Sequence, residues 1–242
     1  MRKSLASIAV VAAFAVPTLA AAQAPAPSPI AGNISLVSDY RFRGITQTFE
    51  QPALQGGFDY AHSSGFYAGN WNSSIADTFF GGSPLEMDFY AGYKPTFGDI
   101  TLDLGILYYY YPGSDAPGIG RIDNTEIYAG AAWKWLSAKY FHAVSDFFGA
   151  PDTKGSNYID LNANFTVGGG WGLVGHIGHQ KVKNNSAADY TDYKLGITKD
   201  VGGWVLGAAY VDNDAEGPIT SGAGKTMDLG DSTVVFSVSK TF

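Results

Sequence analysis

One histidine and one serine have a spacing that could support nucleophilic catalysis. His62 and Ser64 are two residues apart, so on a β-strand both side chains would lie on one face, with the imidazole placed to activate the hydroxyl. No carboxylate that could orient the imidazole is evident, and Gly65 then turns the chain. His176 and His179 would point to opposite faces of a strand, which defeats joint metal ligation. We predict no catalytic residue and interpret His62 as an interfacial histidine.

Two further motifs begin like ligand sites without completing them. The run from Gly170 to Gly175 matches the dinucleotide pattern G-x-G-x-x-G, but that pattern binds phosphate only where it opens a helix, and strand-like sequence follows here. The run from Asp212 to Gly217 begins like a calcium loop, yet its twelfth position is Ala223 rather than glutamate. We interpret it as a solvated acidic loop, with weak cation binding as the alternative, and predict no metal and no cofactor.

The amino terminus has the pattern of a secretory signal peptide. Arg2 and Lys3 precede an apolar run, and the alanines at 20–22 suit a signal peptidase. We predict a signal peptide over 1–22, a Pro/Ala-rich tether over 23–32 and one domain over 33–242.

The chain has a net charge of −7, which disfavours a nucleic-acid partner, and it has no cysteine for disulfide bonds.

Apolar and polar residues alternate along most of the predicted domain, which is typical of strands with one apolar face. In the first strand, Ile34, Leu36, Tyr40 and Phe42 share one face, and the other face carries Ser35, Asp39, Arg41 and Arg43. The remaining strands are predicted at 54–60, 66–72, 86–94, 100–111, 125–134, 138–144, 158–167, 173–182, 190–199, 204–211 and 233–242. The alternation is poor in 138–144 and 173–182, so the strand count is set only to within two.

The predicted connections alternate between short turns and long loops. Short turns fall at 62–65, 95–98, 135–137, 168–170 and 200–203, and long loops at 44–52, 73–85, 112–124, 145–157, 183–189 and 212–232. One edge of short turns and one of long loops is typical of a transmembrane antiparallel up-and-down β-barrel, here of about twelve strands, with periplasmic termini. We therefore predict an all-β fold in the Gram-negative outer membrane, in contact with lipid and lipopolysaccharide.

Aromatic residues support the same architecture. They fall near predicted strand ends, where rings favour a membrane interface, at Trp71, Tyr93, Tyr108, Tyr110, Trp133, Trp171, Trp204 and Phe242. Ordinary β-propensity is the alternative explanation. The chain ends on Phe242, as outer-membrane barrels commonly do, which implies recognition by the barrel-assembly machinery, although Lys240 occupies a position that is more often apolar.

Charged residues are expected to face the lumen, because they are costly against lipid. By parity the lumen set is Asp39, Arg41, Arg43, Asp59, Glu86, Asp88, Lys94, Asp103, Glu126, Lys134, Lys139, Asp160, Asp192 and Lys194. This mixture of signs fits either a water-filled pore or an ion-pair network that fills the lumen, and we favour a narrow channel. An acidic loop at the mouth comprises Asp212, Asp214, Glu216, Asp228 and Asp231 and should modestly favour cations.

The run from Ser38 to Thr48, with 52–57, 65–69, 192–196 and 237–242, resembles the TorF porin family, a group of proteobacterial outer-membrane proteins. The resemblance implies a barrel with pore activity. We expect passive diffusion of small hydrophilic solutes. The alternatives are a non-conducting structural or receptor barrel that acts through its long loops and, less favoured, a lipid-modifying enzyme. The oligomeric state stays open.

Overall fold

Twelve antiparallel strands form one closed barrel in the computed structural model, which describes residues 29–220 and 224–242. The barrel strands are β1 (Ile30–Val37), β2 (Ala53–Ala61), β3 (Phe66–Ser74), β4 (Leu85–Tyr93), β5 (Ile100–Tyr110), β6 (Asn124–Trp133), β7 (Leu136–Ala143), β8 (Asn157–Gly168), β9 (Trp171–Lys181), β10 (Tyr190–Val201), β11 (Trp204–Asn213) and β12 (Thr233–Thr241). Each pairs with its neighbours in sequence, and β1 pairs with β12 to close the ring. The predicted fold class and strand number are confirmed.

Short elements occupy the connections. Two-residue strands Arg41–Phe42 and Ile45–Thr46 pair with each other, Thr96–Phe97 extends the edge of β5, and Pro218–Thr220 pairs with Thr226–Asp228. Single 3₁₀ turns lie at Asp77–Phe79, Phe147–Gly149 and Ser186–Ala188. Within the described residues, no helix has the length and apolar character needed to cross a bilayer.

Burial follows the predicted parity, with the apolar face exposed and the charged face turned into the lumen. In β5, Leu102, Leu104 and Ile106 are exposed while Asp103 and Tyr109 are buried. An exposed apolar wall around a polar interior is the reverse of a soluble protein and is what a lipid-facing barrel requires. The two poorly alternating segments also form barrel strands, β7 and β9.

Exposed aromatic rings surround the edge of the barrel that carries the short turns. They include Tyr93, Phe97, Trp133, Trp135, Trp171, Trp204 and Phe242. The prediction for Trp71 is wrong, because this residue faces the interior, where its ring meets Tyr40 edge-on at 5.4 Å between centroids. A tryptophan near a strand end can occupy either face, and parity alone decides which.

The predicted tether overlaps the first strand of the barrel. The predicted signal peptide, 1–22, and most of the tether lie outside the described residues. The last three tether residues, 30–32, belong to β1, which begins at Ile30. Their backbone pairs with β2 despite the short side chains of Ala31 and Gly32.

Inside the barrel, tyrosine rings lie over glycines of a neighbouring strand. Tyr128 covers Gly105, Tyr90 covers Gly69 and Tyr67 covers Gly92. A Cβ at each glycine would collide with the ring, so these glycines make room for the large side chains that line this part of the lumen.

We expect Gly105→Ala to lower the free energy of unfolding by about 1–3 kcal/mol, the cost of overpacking a filled interior. The added Cβ would meet the Tyr128 ring and lie 2.7 Å from the carbonyl oxygen of Ala91. Gly175→Ala on the outer wall is the matched control, because its nearest atom would be Ala163 Cβ at 3.9 Å. Urea unfolding in detergent micelles measures both, and equal stabilities for the two variants would contradict the prediction.

Candidate functional site

The first long loop, residues 38–52, folds into the lumen, and we call it the plug loop. The sequence predicted that β1 would continue to Arg43, but β1 ends at Val37 and a tight hairpin follows. Arg43 and Gly44 reverse the chain with positive φ values of 47° and 82°. Asp39, Arg41 and Arg43 therefore lie in the lumen as predicted in location, but on a loop rather than along a strand.

Asp39 holds the plug loop in shape. Its carboxylate accepts hydrogen bonds from Arg41 Nε at 2.5 Å, Thr46 Oγ1 at 2.6 Å and Thr48 Oγ1 at 3.0 Å. All four side chains are buried. Three donors of the loop itself therefore satisfy this buried carboxylate.

Arg43 fastens the plug loop to the wall. Its guanidinium donates to both carboxylate oxygens of Glu126 in β6, at 3.1 and 2.7 Å, and to Gln180 Oε1 in β9 at 2.7 Å. It also lies 4.2 Å from the ring centroid of Tyr158 in β8 and 5.2 Å from that of Phe141 in β7. We call Arg43, Glu126 and Gln180 the latch. Bidentate pairing and cation–π contact both strengthen this attachment of the loop to the wall.

Arg43 stays charged in its buried position. Burial alone would lower the pKa of Arg43, but the adjacent carboxylate of Glu126 more than compensates, and the pKa is raised. Burial, together with Glu86 and Asp88, raises the pKa of Tyr40 well above its usual range. The Tyr40 hydroxyl is therefore neutral and donates to Glu86 Oε1 at 3.3 Å.

The contacts of the plug loop reach most of the circumference of the barrel. Tyr40 meets Trp71 of β3 and Glu86 of β4, and Arg43 reaches β5 through β9. The carbonyl oxygen of Gly44 accepts from Asn213 Nδ2 of β11 at 3.2 Å. Tyr109, Glu126, Phe141 and Gln180 of the wall at this level are at most 1 % exposed. The plug loop therefore covers much of the wall at the loop end of the lumen.

Buried acidic residues outnumber buried basic residues in the plug loop and the wall behind it. Asp39 pairs with Arg41 and Glu126 pairs with Arg43, but Glu86 and Asp88 have no basic partner within the ion-pair distance among the described residues. Glu86 Oε2 and Asp88 Oδ1 are buried and lack a hydrogen-bond partner in this part of the chain. The wall behind the plug loop therefore carries surplus acidic groups.

A second layer covers the plug loop from outside. Phe49 is buried against Ile219 and Met227 of the last long loop, and Arg41 Nη1 donates to the carbonyl oxygen of Asp231 at 2.8 Å. The predicted acidic loop is therefore part of the cover. Asp214, Glu216, Asp228 and Asp231 lie on it, whereas Asp212 lies in β11 and accepts from the Tyr210 hydroxyl on the outer wall.

The lower half of the lumen, toward the short turns, is less tightly filled. Asp103 lies 2.8 Å from Lys139 Nζ and 3.6 Å from Lys94 Nζ, and the two lysine side chains keep 14 % and 20 % of their surface exposed. On the other side, directly beneath the plug loop, His176 bridges Asp160 at 3.0 Å and Asp192 at 2.8 Å. This half is a charged vestibule that ends at the plug loop.

The structure places most of the predicted lumen residues inside. Those on the strands or just beyond them are Asp59, Glu86, Asp88, Lys94, Asp103, Glu126, Lys139, Asp160, Asp192 and Lys194. The placement of Lys134 is wrong. It lies in the turn between β6 and β7 with φ 54°, its ammonium over the Trp133 ring, and its side chain is 54 % exposed. Parity does not continue into a turn.

Sequence reasoning missed three contributors to the interior. Tyr40 was assigned to the apolar face, Gln180 was not selected, and His176 was assigned no partners. Parity could have found Gln180 and His176, because both share the inward face of β9 with Gly178. The described residues contain no group of three or more possible ligands arranged to hold a metal ion.

The other sequence motifs lack the neighbouring groups that a catalytic or ligand site would need in the described part of the chain. His62 Nδ1 lies 2.6 Å from Ser64 Oγ in an exposed turn, and no carboxylate pairs with His62 among the described residues. The glycine pattern at 170–175 opens β9 rather than a helix. Phe242 is exposed on the outer wall, and its backbone N–H donates to Gly32.

A closed antiparallel barrel with an apolar outer wall and a charged interior is a membrane-type β-barrel, and solved porin structures share this fold. The NanC porin is 11 % identical, with a TM-score of 0.55, over 88 % of this chain and 98 % of that one. The KdgM porin in complex with disordered oligogalacturonate is 8 % identical, with a TM-score of 0.51, over 88 % and 97 %. These similarities concern the fold alone.

The chain belongs to the bacterial family described as "Bacterial protein of unknown function (Gcw_chp)", whose model matches residues 21–242. A search of curated protein sequences finds no match.

Proposed function

We propose that the protein is a gated porin-type channel of the Gram-negative outer membrane, which passes small hydrophilic solutes when the plug loop leaves the lumen. The observation that carries this proposal is the latch between Arg43, Glu126 and Gln180. Replacing a buried ion pair with apolar side chains of similar volume is often neutral or stabilising. Stability alone therefore does not account for the latch, and we assign it to a closure that can be reversed.

The charged vestibule supports the choice of solute. Lysines, aspartates and one histidine line the vestibule, and several keep exposed surface. Such walls favour small polar or charged molecules over apolar ones. We assign a weak cation preference to the protein, with Glu86, Asp88 and Glu126 as its main source once Arg43 has left, and the acidic loop as a further contributor.

The outer wall supports the proposed location. Apolar side chains cover it, and a band of exposed aromatic residues surrounds the edge with the short turns. We infer export by the predicted signal peptide, contact with lipid and lipopolysaccharide, and recognition of the strand that ends at Phe242 by the barrel-assembly machinery. The resemblance to the TorF porin family is part of the same proposal.

Liposome swelling tests the proposed activity. Proteoliposomes with the wild type should take up a small neutral solute slowly but faster than protein-free liposomes, because the latch keeps most molecules closed. A variant with a broken latch, Arg43→Leu, should take it up much faster. Uptake at the protein-free rate by both proteins would overturn the proposal.

A non-conducting receptor barrel is the second candidate. The tight packing of Phe49 against Ile219 and Met227 favours it, because it gives the loop end one defined outer surface. This candidate predicts a lumen that stays sealed without the latch. We propose no enzymatic activity, because the His62 and Ser64 pair is exposed in a turn. Any hydrolysis measured with the purified protein should therefore be the same for the wild type and for His62→Ala.

A further inference from the structure

Two acidic side chains of β4 are buried behind the plug loop without charge compensation. Glu86 and Asp88 share the inward face of the strand and are 1 % and 8 % exposed. Neither forms an ion pair with a basic group of the described residues, and one oxygen of each, Glu86 Oε2 and Asp88 Oδ1, has no hydrogen-bond partner there. An ionised carboxylate is very costly in such a place, and a buried acid takes up a proton instead.

The groups that face the two acids supply no free positive charge. The titratable ones are Tyr40 and Arg43 of the plug loop, Tyr109 and Tyr111 at the end of β5, and Glu126 of β6. The neighbouring strand β3 places the uncharged Trp71 and Ser73 opposite them. Tyrosines are neutral below about pH 10, and the charge of Arg43 is paired with that of Glu126 at 2.7 Å. Protonation is therefore the compensation that these surroundings leave to Glu86 and Asp88.

Movement of the plug loop changes the surroundings of both acids. When the loop leaves the lumen, Tyr40 and Arg43 leave with it, and water reaches Glu86 and Asp88. Hydrated acids of this kind ionise at about pH 4. Above that pH, opening therefore releases protons and closing takes them up. By linkage, each proton taken up changes the ratio of open to closed molecules about tenfold per pH unit.

We propose that closure of the plug loop takes up protons onto Glu86 and Asp88, so that acid stabilises the closed state. The inference rests on the proposed gated channel and adds the regulator of its gate. Its sign follows from burial, because the closed state holds the neutral acids and the open state hydrates the ionised ones. A rise in pH above about 4 therefore shifts the population toward the open state.

A cysteine in the plug loop reports the movement of the loop, because the chain has no cysteine of its own. Gln47 is 5 % exposed in the closed state, so Gln47→Cys should react with a charged, water-soluble thiol reagent when the loop has left. Dividing its rate by that of Ser186→Cys, in an exposed turn, removes the pH dependence of the thiol itself. This ratio should rise about tenfold or more from pH 5 to pH 7. A constant ratio would overturn the proposal.

Neutral substitutions assign the effect to the two acids. Adding Glu86→Gln and Asp88→Asn to Gln47→Cys should keep labelling equally low at both pH values, because the amides resemble the protonated acids. Adding His176→Gln instead removes an imidazole of the vestibule that titrates near neutral pH, and it should preserve the rise. If the rise persists in the Glu86→Gln and Asp88→Asn variant, and its heat-dependent gel mobility shows a folded barrel, the proposal is wrong.

The results also separate proton uptake from conduction. Labelling of Gln47→Cys that rises with pH in a protein that never conducts would support proton uptake and overturn the proposed channel. Labelling that changes with the concentration of a metal cation at fixed pH, and not with pH, would show that a cation compensates Glu86 and Asp88. That result would overturn the uptake of protons.

Discussion

Replacing Arg43 with leucine is expected to raise the ratio of open to closed channels in planar bilayers about a hundredfold or more. Removal of one partner from a buried ion pair costs about 3–5 kcal/mol, and each ~1.4 kcal/mol is a factor of ten. Both partners are buried here, with side-chain exposures of 4 % and 0 %, so solvent screens the pair little. The substitution destabilises only the closed state, in which Glu126 loses its buried partner. In the open state water hydrates the Glu126 carboxylate.

Two further variants show whether this effect belongs to the latch. Arg121→Leu removes an exposed arginine that pairs with Asp123 on an outer loop, and it should leave conductance unchanged. Adding Glu126→Leu to Arg43→Leu removes the stranded carboxylate and should restore much of the closure. Single-channel recordings as quiet for Arg43→Leu as for the wild type would contradict the proposed latch.

A barrel without its plug loop is expected to be strongly cation-selective. The shortened variant replaces residues 40–51 with a short Gly/Ser linker, which the paired ends of β1 and β2, Val37 opposite Ala53, can accommodate. Arg41 and Arg43 leave with the loop, while Glu86, Asp88 and Glu126 remain on the wall. A narrow site lined by acids of one sign raises the local concentration of cations.

The reversal potential in a salt gradient measures this selectivity. In the shortened variant, Glu86→Gln, Asp88→Asn and Glu126→Gln together should move the reversal potential close to zero. The matched control neutralises Asp214, Glu216, Asp228 and Asp231 of the acidic loop and should have a smaller effect, since these groups lie near solvent and are screened by salt. The reverse ranking would assign selectivity to the acidic loop instead.

The barrel was predictable because its two constraints are local. Lipid on one side and a polar lumen on the other impose a period of two on every strand, and this rule places Asp103, Glu126 and Asp192 inside without knowledge of the fold. Even β9, which alternates poorly, keeps the rule once its inward glycines, such as Gly178 beneath the Tyr158 ring, are counted.

The plug loop was not predictable from alternation. Polar and apolar residues alternate in its two short strands with the same period of two as in a continuous strand. Asp39, Arg41 and Arg43 fit either a continuous β1 or a loop that returns toward the lumen. One local signal for the loop is present in the sequence, the glycine at position 44. In the structure Gly44 has a positive φ, which glycine adopts readily. Which wall groups meet Arg43 depends on the long-range contacts with Glu126 and Gln180, and no spacing in the sequence encodes that meeting.

The conductance of the shortened variant is the most direct measurement of whether one loop closes an otherwise polar passage. Purified and shown to be folded by its heat-dependent gel mobility, it should insert into planar bilayers in discrete conductance steps, while the wild type under the same conditions is mostly silent. A folded variant without residues 40–51 that gives no steps at any voltage or salt concentration would contradict the proposed channel and favour a permanently closed receptor barrel.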